Sequence, residues 1–229
     1  TTDRKVMNVD QEPLFTIAAD KETYIQDIVL APDGHTVFAL DVARQRVIVF
    51  DLTEKKVIAD VAAGRQPYAL ALNADGSRLF VANIGIFDYS LVPPPAEGSG
   101  FNKRGLRIPP FGFPSKEAET GVQTEGRFVP GLGSPRVPDA QSLWSYDVRK
   151  PASPTVTGKA KTGILIHAPA DNGKSVGGSS PNALYIHGNN IWVSNANNDT
   201  VQAFDVRTLK LNKTIKLTPT KELSRLRGI

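Results

Sequence analysis

The chain has 229 residues, 40% hydrophobic and 22% charged, enough apolar content to enclose a sizeable core in one globular domain. Cysteine is absent, which excludes disulfides and thiolate metal sites, and no stretch approaches the ~20 apolar residues of a membrane-spanning helix. The net charge is +4, but Lys and Arg are dispersed with no run longer than two and no aromatic-plus-basic stacking module, so the charge does not argue for nucleic acid.

Residues Val6 to Ile17 read as outer strands of a unit begun or completed elsewhere. From Ile28 to Val61 there follow a short apolar strand, the turn Pro32-Asp33-Gly34, Phe38-Ala39-Leu40-Asp41, a second turn, and Val47-Ile48-Val49-Phe50-Asp51. Apolar runs of four to six residues, bounded by Gly, Asp, Asn and Pro, predict strands, and Asp-Gly accepts the positive φ that a hairpin turn needs. The pattern recurs from Leu70 to Ala160, and its turn Ala74-Asp75-Gly76 lies 42 residues after the first (75 − 33). That offset is the length of one four-stranded propeller blade. Alternation in this second copy puts Ala69 and Ala71 on one face of a strand and Leu70 and Leu72 on the other. The small face is expected near a central axis, the large face between sheets.

In the first copy Asp41 and Asp51 are 10 apart, and in the third, Leu184 to Leu217, Asn195 and Asp205 are also 10 apart. In the second the equivalent Asn83 and Asp147 are 64 apart, so about 54 residues interrupt one hairpin loop before Leu143-Trp144-Ser145-Tyr146-Asp147 resumes the blade. This insertion, residues 84–140, holds most of the individuality of the chain: it contains Pro93-Pro94-Pro95, Pro109-Pro110 and the aromatic and basic residues Phe101, Lys103, Arg104, Arg107, Phe111 and Phe113. It suits a strap over one face, forming a ligand rim or docking surface, or a strap with no ligand. A second departure spans residues 161–180. Its Gly173-Lys174-Ser175 is not a phosphate loop, because position 168 is Ala where the pattern needs Gly, and a strand follows instead of a helix.

His35 and His187 belong to or flank hairpin turns, and only His167 lies in non-repeat sequence; no metal spacing is visible. Asp41, Asn83 and Asn195 recur at equivalent positions, as residues that fix the bend after a strand, and Asp51, Asp147 and Asp205 likewise read as organisers of turns. A catalytic carboxylate pair must converge in one pocket, whereas equivalent positions on different blades diverge.

The segment from Arg65-Gln66-Pro67-Tyr68 through Asn73-Ala74-Asp75-Gly76 to Phe80-Val81-Ala82-Asn83 resembles the YVTN-type β-propeller repeat, and Trp192-Val193-Ser194-Asn195 stands for the same closing motif. Copy one departs from it as Phe38-Ala39-Leu40-Asp41. Gly126-Arg127-Phe128-Val129-Pro130-Gly131-Leu132-Gly133, with Ser142 to Asp147, Lys161 to Leu165, and Gly177 to Thr200, is similar to the amino-terminal propeller of bacterial exported proteins. Some of these carry a carboxy-terminal alkaline-phosphatase-like phosphoesterase domain.

The fold expected is therefore all-β, a β-propeller of four-stranded blades, with about three blades present (approximately 19–62, 64–160 and 178–218), part of a seven-bladed ring, and the insertion 84–140 within the second. Three blades do not close a ring, so the expected partners are remaining blades or a second chain, and by resemblance a carboxy-terminal hydrolase domain. The function expected is a non-catalytic scaffold or binding module, by resemblance the amino-terminal part of an exported phosphoesterase-like protein in a periplasmic or extracellular setting. The alternative is a lactonase-type propeller enzyme, for which no catalytic residue is identifiable here. The contacts expected for a ligand or partner are Arg104, Arg107, Phe111, Arg127 and His167; no catalytic residue, metal or cofactor is assigned.

Overall fold

The structure is a computed structural model and describes residues 23–85, 116–124, 127–131, 133–134, 137–164 and 178–217. Its strands, numbered in chain order, form three antiparallel four-stranded sheets. The first is β1 (Ile25–Leu30), β2 (Thr36–Asp41), β3 (Arg46–Asp51) and β4 (Lys56–Ala62), paired in that order. In the second, β5 (Pro67–Leu72) and β6 (Arg78–Asn83) pair with β9 (Ser142–Asp147) and β10 (Thr155–Lys161). The third comprises β11 (Pro181–His187), β12 (Asn190–Asn195), β13 (Thr200–Asp205) and β14 (Leu211–Lys216). Within the interruption, helix α1 (Lys116–Thr120) precedes a hairpin of β7 (Gly121–Thr124) and β8 (Arg127–Pro130).

The leading strands β1, β5 and β11 lie side by side, so each sheet packs its face on its neighbour. The fold is that of a β-propeller, and the three sheets are its blades. Strand alternation gives the middle blade two apolar faces. Leu70, Leu79, Val81, Trp144 and Tyr146 meet Phe38, Leu40, Val47 and Val49 of blade 1. On the opposite face Phe80 and Leu143 meet Ile191, Val193 and Phe204 of blade 3. Ala71 joins this second cluster beside Leu184 and Ile186, so the small-residue face is not turned to an open axis: it accommodates the bulkier strand of blade 3. The hydroxyl of Tyr146 ties the first interface by donating to the Ala62 carbonyl at 3.0 Å.

The recurring acidic residues act on turns. The Asp51 carboxylate accepts from the amides of Thr53 and Glu54 at 2.8 and 2.9 Å. Asp205 accepts from those of Arg207 and Thr208 at 2.9 and 2.8 Å, and Asp147 accepts from Arg149 at 3.0 Å. Buried Asp41 accepts from the amides of Tyr24 and Arg44 and from the Arg46 guanidinium.

One backbone device explains how blade 2 survives its interruption. The residue just before the third strand of each blade is Gln45, Gln141 and Asp199, with φ of 52, 50 and 51° respectively. These are left-handed conformations that non-glycine residues seldom adopt. The chain returning from the long connection therefore enters β9 through the same kink that closes the four-residue connections of the other blades.

Candidate functional site at the insertion-bearing end

Antiparallel pairing sorts the connections by end. β6 finishes and β9 begins at the end of blade 2 where β10 also finishes, and β11 of blade 3 starts there. Both long connections, 84–141 and 162–180, thus leave from one end of the blades. The opposite end carries short hairpins, with an open cleft of about 310 Å³ between the turns of blades 1 and 2, lined by Pro32, Asp33, Asp75, Ser77 and Arg149.

Beneath the two long connections lies a buried amide and hydroxyl network. The Gln141 side chain donates to the Ile84 carbonyl at 2.7 Å and accepts from the Ser180 amide at 2.6 Å and the Ser179 hydroxyl at 3.1 Å. Its own carbonyl receives the Thr162 amide at 3.0 Å, and the Thr162 and Ser179 hydroxyls pair at 2.8 Å. Gln141 thereby fastens both ends of the blade-2 insertion to the start of blade 3. Next to it, Gln202 accepts from the Gly163 amide at 2.7 Å and from Asn195 at 3.1 Å. Asn198 accepts from the Ile164 amide at 2.6 Å and donates to the Gly178 carbonyl at 2.9 Å.

Gln66 and Ser180, at φ 45 and 53°, each precede the proline that opens a blade. Their carbonyls receive the amides of Ile84 and Ala196, so the strained conformation is held by hydrogen bonds on both blades. Gly64 packs against Asn83: a Cβ on it would stand 2.5 Å from Asn83 Cγ and 2.7 Å from the Asp139 carbonyl oxygen. The carboxamide oxygens of Asn83 and Asn195 are buried without a hydrogen-bond partner among the described residues.

Charged groups ring this neutral centre. The Lys161 ammonium donates to the carbonyls of Val137 and Ala140. Burial lowers its pKa, assisted by nearby Arg65 and opposed by Asp139. Lys159 pairs with Asp139 at 3.0 Å and stands 3.5 Å from the Trp144 ring centre, a cation–π contact. Arg65 donates to the Ser134 carbonyl at 2.9 Å. These groups bind the returning chain to the blade. The hydroxyls of Ser179 and Thr162 bond to one another, and that of Ser179 also to Gln141; among the described residues neither meets an imidazole or carboxylate that would activate it. Among the described residues no three His, Asp or Glu side chains gather as a metal site, and no helix is long and apolar enough to cross a membrane.

Of the contacts expected from sequence, Arg104, Arg107, Phe111 and His167 lie outside the described residues. Arg127 contributes backbone to β8, opposite Thr124. The residues that sequence reading passed over are Gln141, Thr162, Ser179, Asn198 and Gln202. Two of them carry a signal in the repeat: Gln141 aligns with Gln45 and Asp199, and Ser179 lies in Gly178-Ser179-Ser180-Pro181, which repeats the Gly-x-x-Pro of Gly64-Arg65-Gln66-Pro67.

No protein-family model and no curated protein matches the chain. Solved structures do. Hydrazine synthase of Kuenenia stuttgartiensis has a TM-score of 0.52 at 15% identity, over 91% of this chain and 40% of that one. A Bacteroides fragilis protein described as a 6-phosphogluconolactonase has a TM-score of 0.51 at 15% identity, over 86% and 40%. A Lactobacillus plantarum protein has a TM-score of 0.51 at 16% identity, over 85% and 42%. The likeness is one of fold. The chain spans about two fifths of the length of these structures.

Proposed function

We propose that this chain is a non-catalytic β-propeller scaffold whose recognition surface is the end of blades 2 and 3 carrying the two long connections. One observation carries the reading: both connections depart from the same end, and Gln141 joins their roots in a single buried network. That network is made of neutral amides and hydroxyls engaged in holding backbone, which suits a rigid base for recognition loops and supplies no general base or nucleophile. The insertion residues Arg104, Arg107 and Phe111, together with Arg127 and His167, are the contacts proposed for an anionic or aromatic group on the partner.

We further propose, from the resemblance of Gly126 to Gly133 and Gly177 to Thr200, that the propeller serves an exported phosphoesterase-like protein, its hydrolytic chemistry residing in a separate domain at the periplasm or cell surface. The test has two arms. The 229-residue chain is assayed with p-nitrophenyl phosphate and with a sugar lactone, and neither is turned over; turnover of either overturns the non-catalytic reading. A photo-crosslinking residue at position 104 or 107 captures a partner from the native extract, whereas the same group at exposed Lys56 does not; equal capture at both positions overturns the assignment of the recognition surface.

A further inference from the structure

Register identifies which face of each blade looks to its neighbour. On the face directed to the following blade, Val29 pairs with Phe38 in blade 1, Ala71 with Phe80 in blade 2, and Tyr185 with Trp192 in blade 3. Phe38 and Phe80 are 1% and 0% exposed, because a blade covers each. Trp192 is only half-buried and Tyr185 is 67% exposed. The pair continues across the sheet as buried Ala203 beside exposed Lys213, and two residues along the same face Val201 stands beside Ile215, neither fully buried.

The opposite face shows the converse. Leu70 pairs with Val81 in blade 2 and Leu184 with Val193 in blade 3, and these residues pack on the preceding blade. Their counterparts in blade 1 are Ile28 beside Ala39 and Leu30 beside Val37. Ala39 is buried, but Ile28 and Leu30 are 64% and 53% exposed, an apolar strip along β1. The chain therefore bears both halves of the interface that it builds twice internally, one half on β11–β12 and the other on β1.

We propose that the Tyr185–Trp192 face of blade 3 docks on the Ile28–Leu30 strip of blade 1 in a second copy of this chain, head to tail. The occupant is argued from continuity: β1 against β5 and β5 against β11 are two successive instances of the contact, and β11 against β1 of a second copy is a third. Such a contact joins two different surfaces, so it closes into a ring or grows, according to the rotation between copies. The inference rests on the scaffold reading of the blades, but not on what the long connections bind.

Tyr185→Arg and Ile28→Arg place a charge in each half at positions already open to solvent, so folding is retained, as far-ultraviolet circular dichroism will verify. Sedimentation of the wild-type chain across a concentration series is expected to show species heavier than the 24.7 kDa monomer. Each variant alone is expected to remain monomeric, and an equimolar mixture of the two is expected to regain a two-chain species, since one intact half survives on each partner. A wild-type chain that stays monomeric throughout overturns the proposal, as does association that either variant leaves intact or that mixing fails to restore. A monomer without phosphatase or lactonase turnover overturns the pairing alone and leaves the scaffold reading standing.

Discussion

Replacing Gln141 tests whether the buried network is what seats the two long connections. The side chain is 2% exposed and satisfies the Ile84 carbonyl and the Ser180 amide, while Ser179 keeps a second partner in Thr162. Gln141→Ala thus takes the side-chain partner from two partly buried backbone groups, each costing about 1–3 kcal/mol, and a loss of about 3 kcal/mol is expected. For a chain of this size that lowers the melting temperature by about 6–12 °C. Gln141→Gly loses the same bonds, but at φ 50° glycine avoids the steric penalty that alanine shares with glutamine. It is therefore expected to be about 1 kcal/mol more stable than the alanine variant. Urea unfolding followed by tryptophan emission measures both, and the ordering matters as much as the size. An alanine variant within about 0.5 kcal/mol of wild type, or a glycine variant less stable than the alanine one, would refute the reasoning.

Phe80→Ala opens a cavity in the interface of blades 2 and 3, where the ring is fully buried, and is expected to cost about 3–5 kcal/mol in urea unfolding. Gly64→Ala forces a methyl into Asn83 and the backbone of Asp139, so the thermal midpoint should fall, whereas Gly34→Ala meets open space and strains only its turn. Asp147 is expected to titrate at about 2 by carbon-detected NMR, below the usual 3.8, chiefly because the Arg149 side chain bonds it and its amide adds a second donor. With the folded value depressed, its contribution is present above about 4 and is lost as pH falls towards 2; in Arg149→Gln the titration should move up towards 3.8. Asp205 shifts the same way through the amide and hydroxyl of Thr208, and Asp33 does so because donors from Thr36 and His35 outweigh the opposing effect of burial.

Much of this architecture is legible in the sequence because strands and turns are local. Alternation marks both faces of β6 and β9, and Asp51, Asp147 and Asp205 announce turns that their carboxylates in fact organise. The spacing from Asn83 to Asp147 locates the interruption, and the strand resumes at Ser142. The sequence expectations place no strand within the interruption, although Val122-Gln123-Thr124 and Arg127-Phe128-Val129 alternate and lie in β7 and β8. The alanine face of β5 reads from sequence as an axial face because sequence shows residue size and not which blade stands opposite. The repeat marks the positions of Gln141 and Ser179, but not that they meet: Ile84, Thr162 and Ser180 are distant from Gln141 in sequence, and which amides and hydroxyls pair is settled only when the blades bring them together.

The left-handed residue at the threshold of each third strand bears on the order in which the blades assemble. Blades 1 and 3 join their middle strands across four residues, 42–45 and 196–199, whereas blade 2 must bring together the ends of a segment of 58, residues 84–141. Nearly four doublings of loop length add about 2 kcal/mol of closure entropy, owed before β6 and β9 gain their first pair. The flanking blades can zip up from local contacts, while the central one waits for a distant strand to arrive. Its two apolar faces are then expected to be the last surfaces sealed, and the blade that touches both neighbours to be the keystone whose closure paces the passage from separate meanders to one cooperative body.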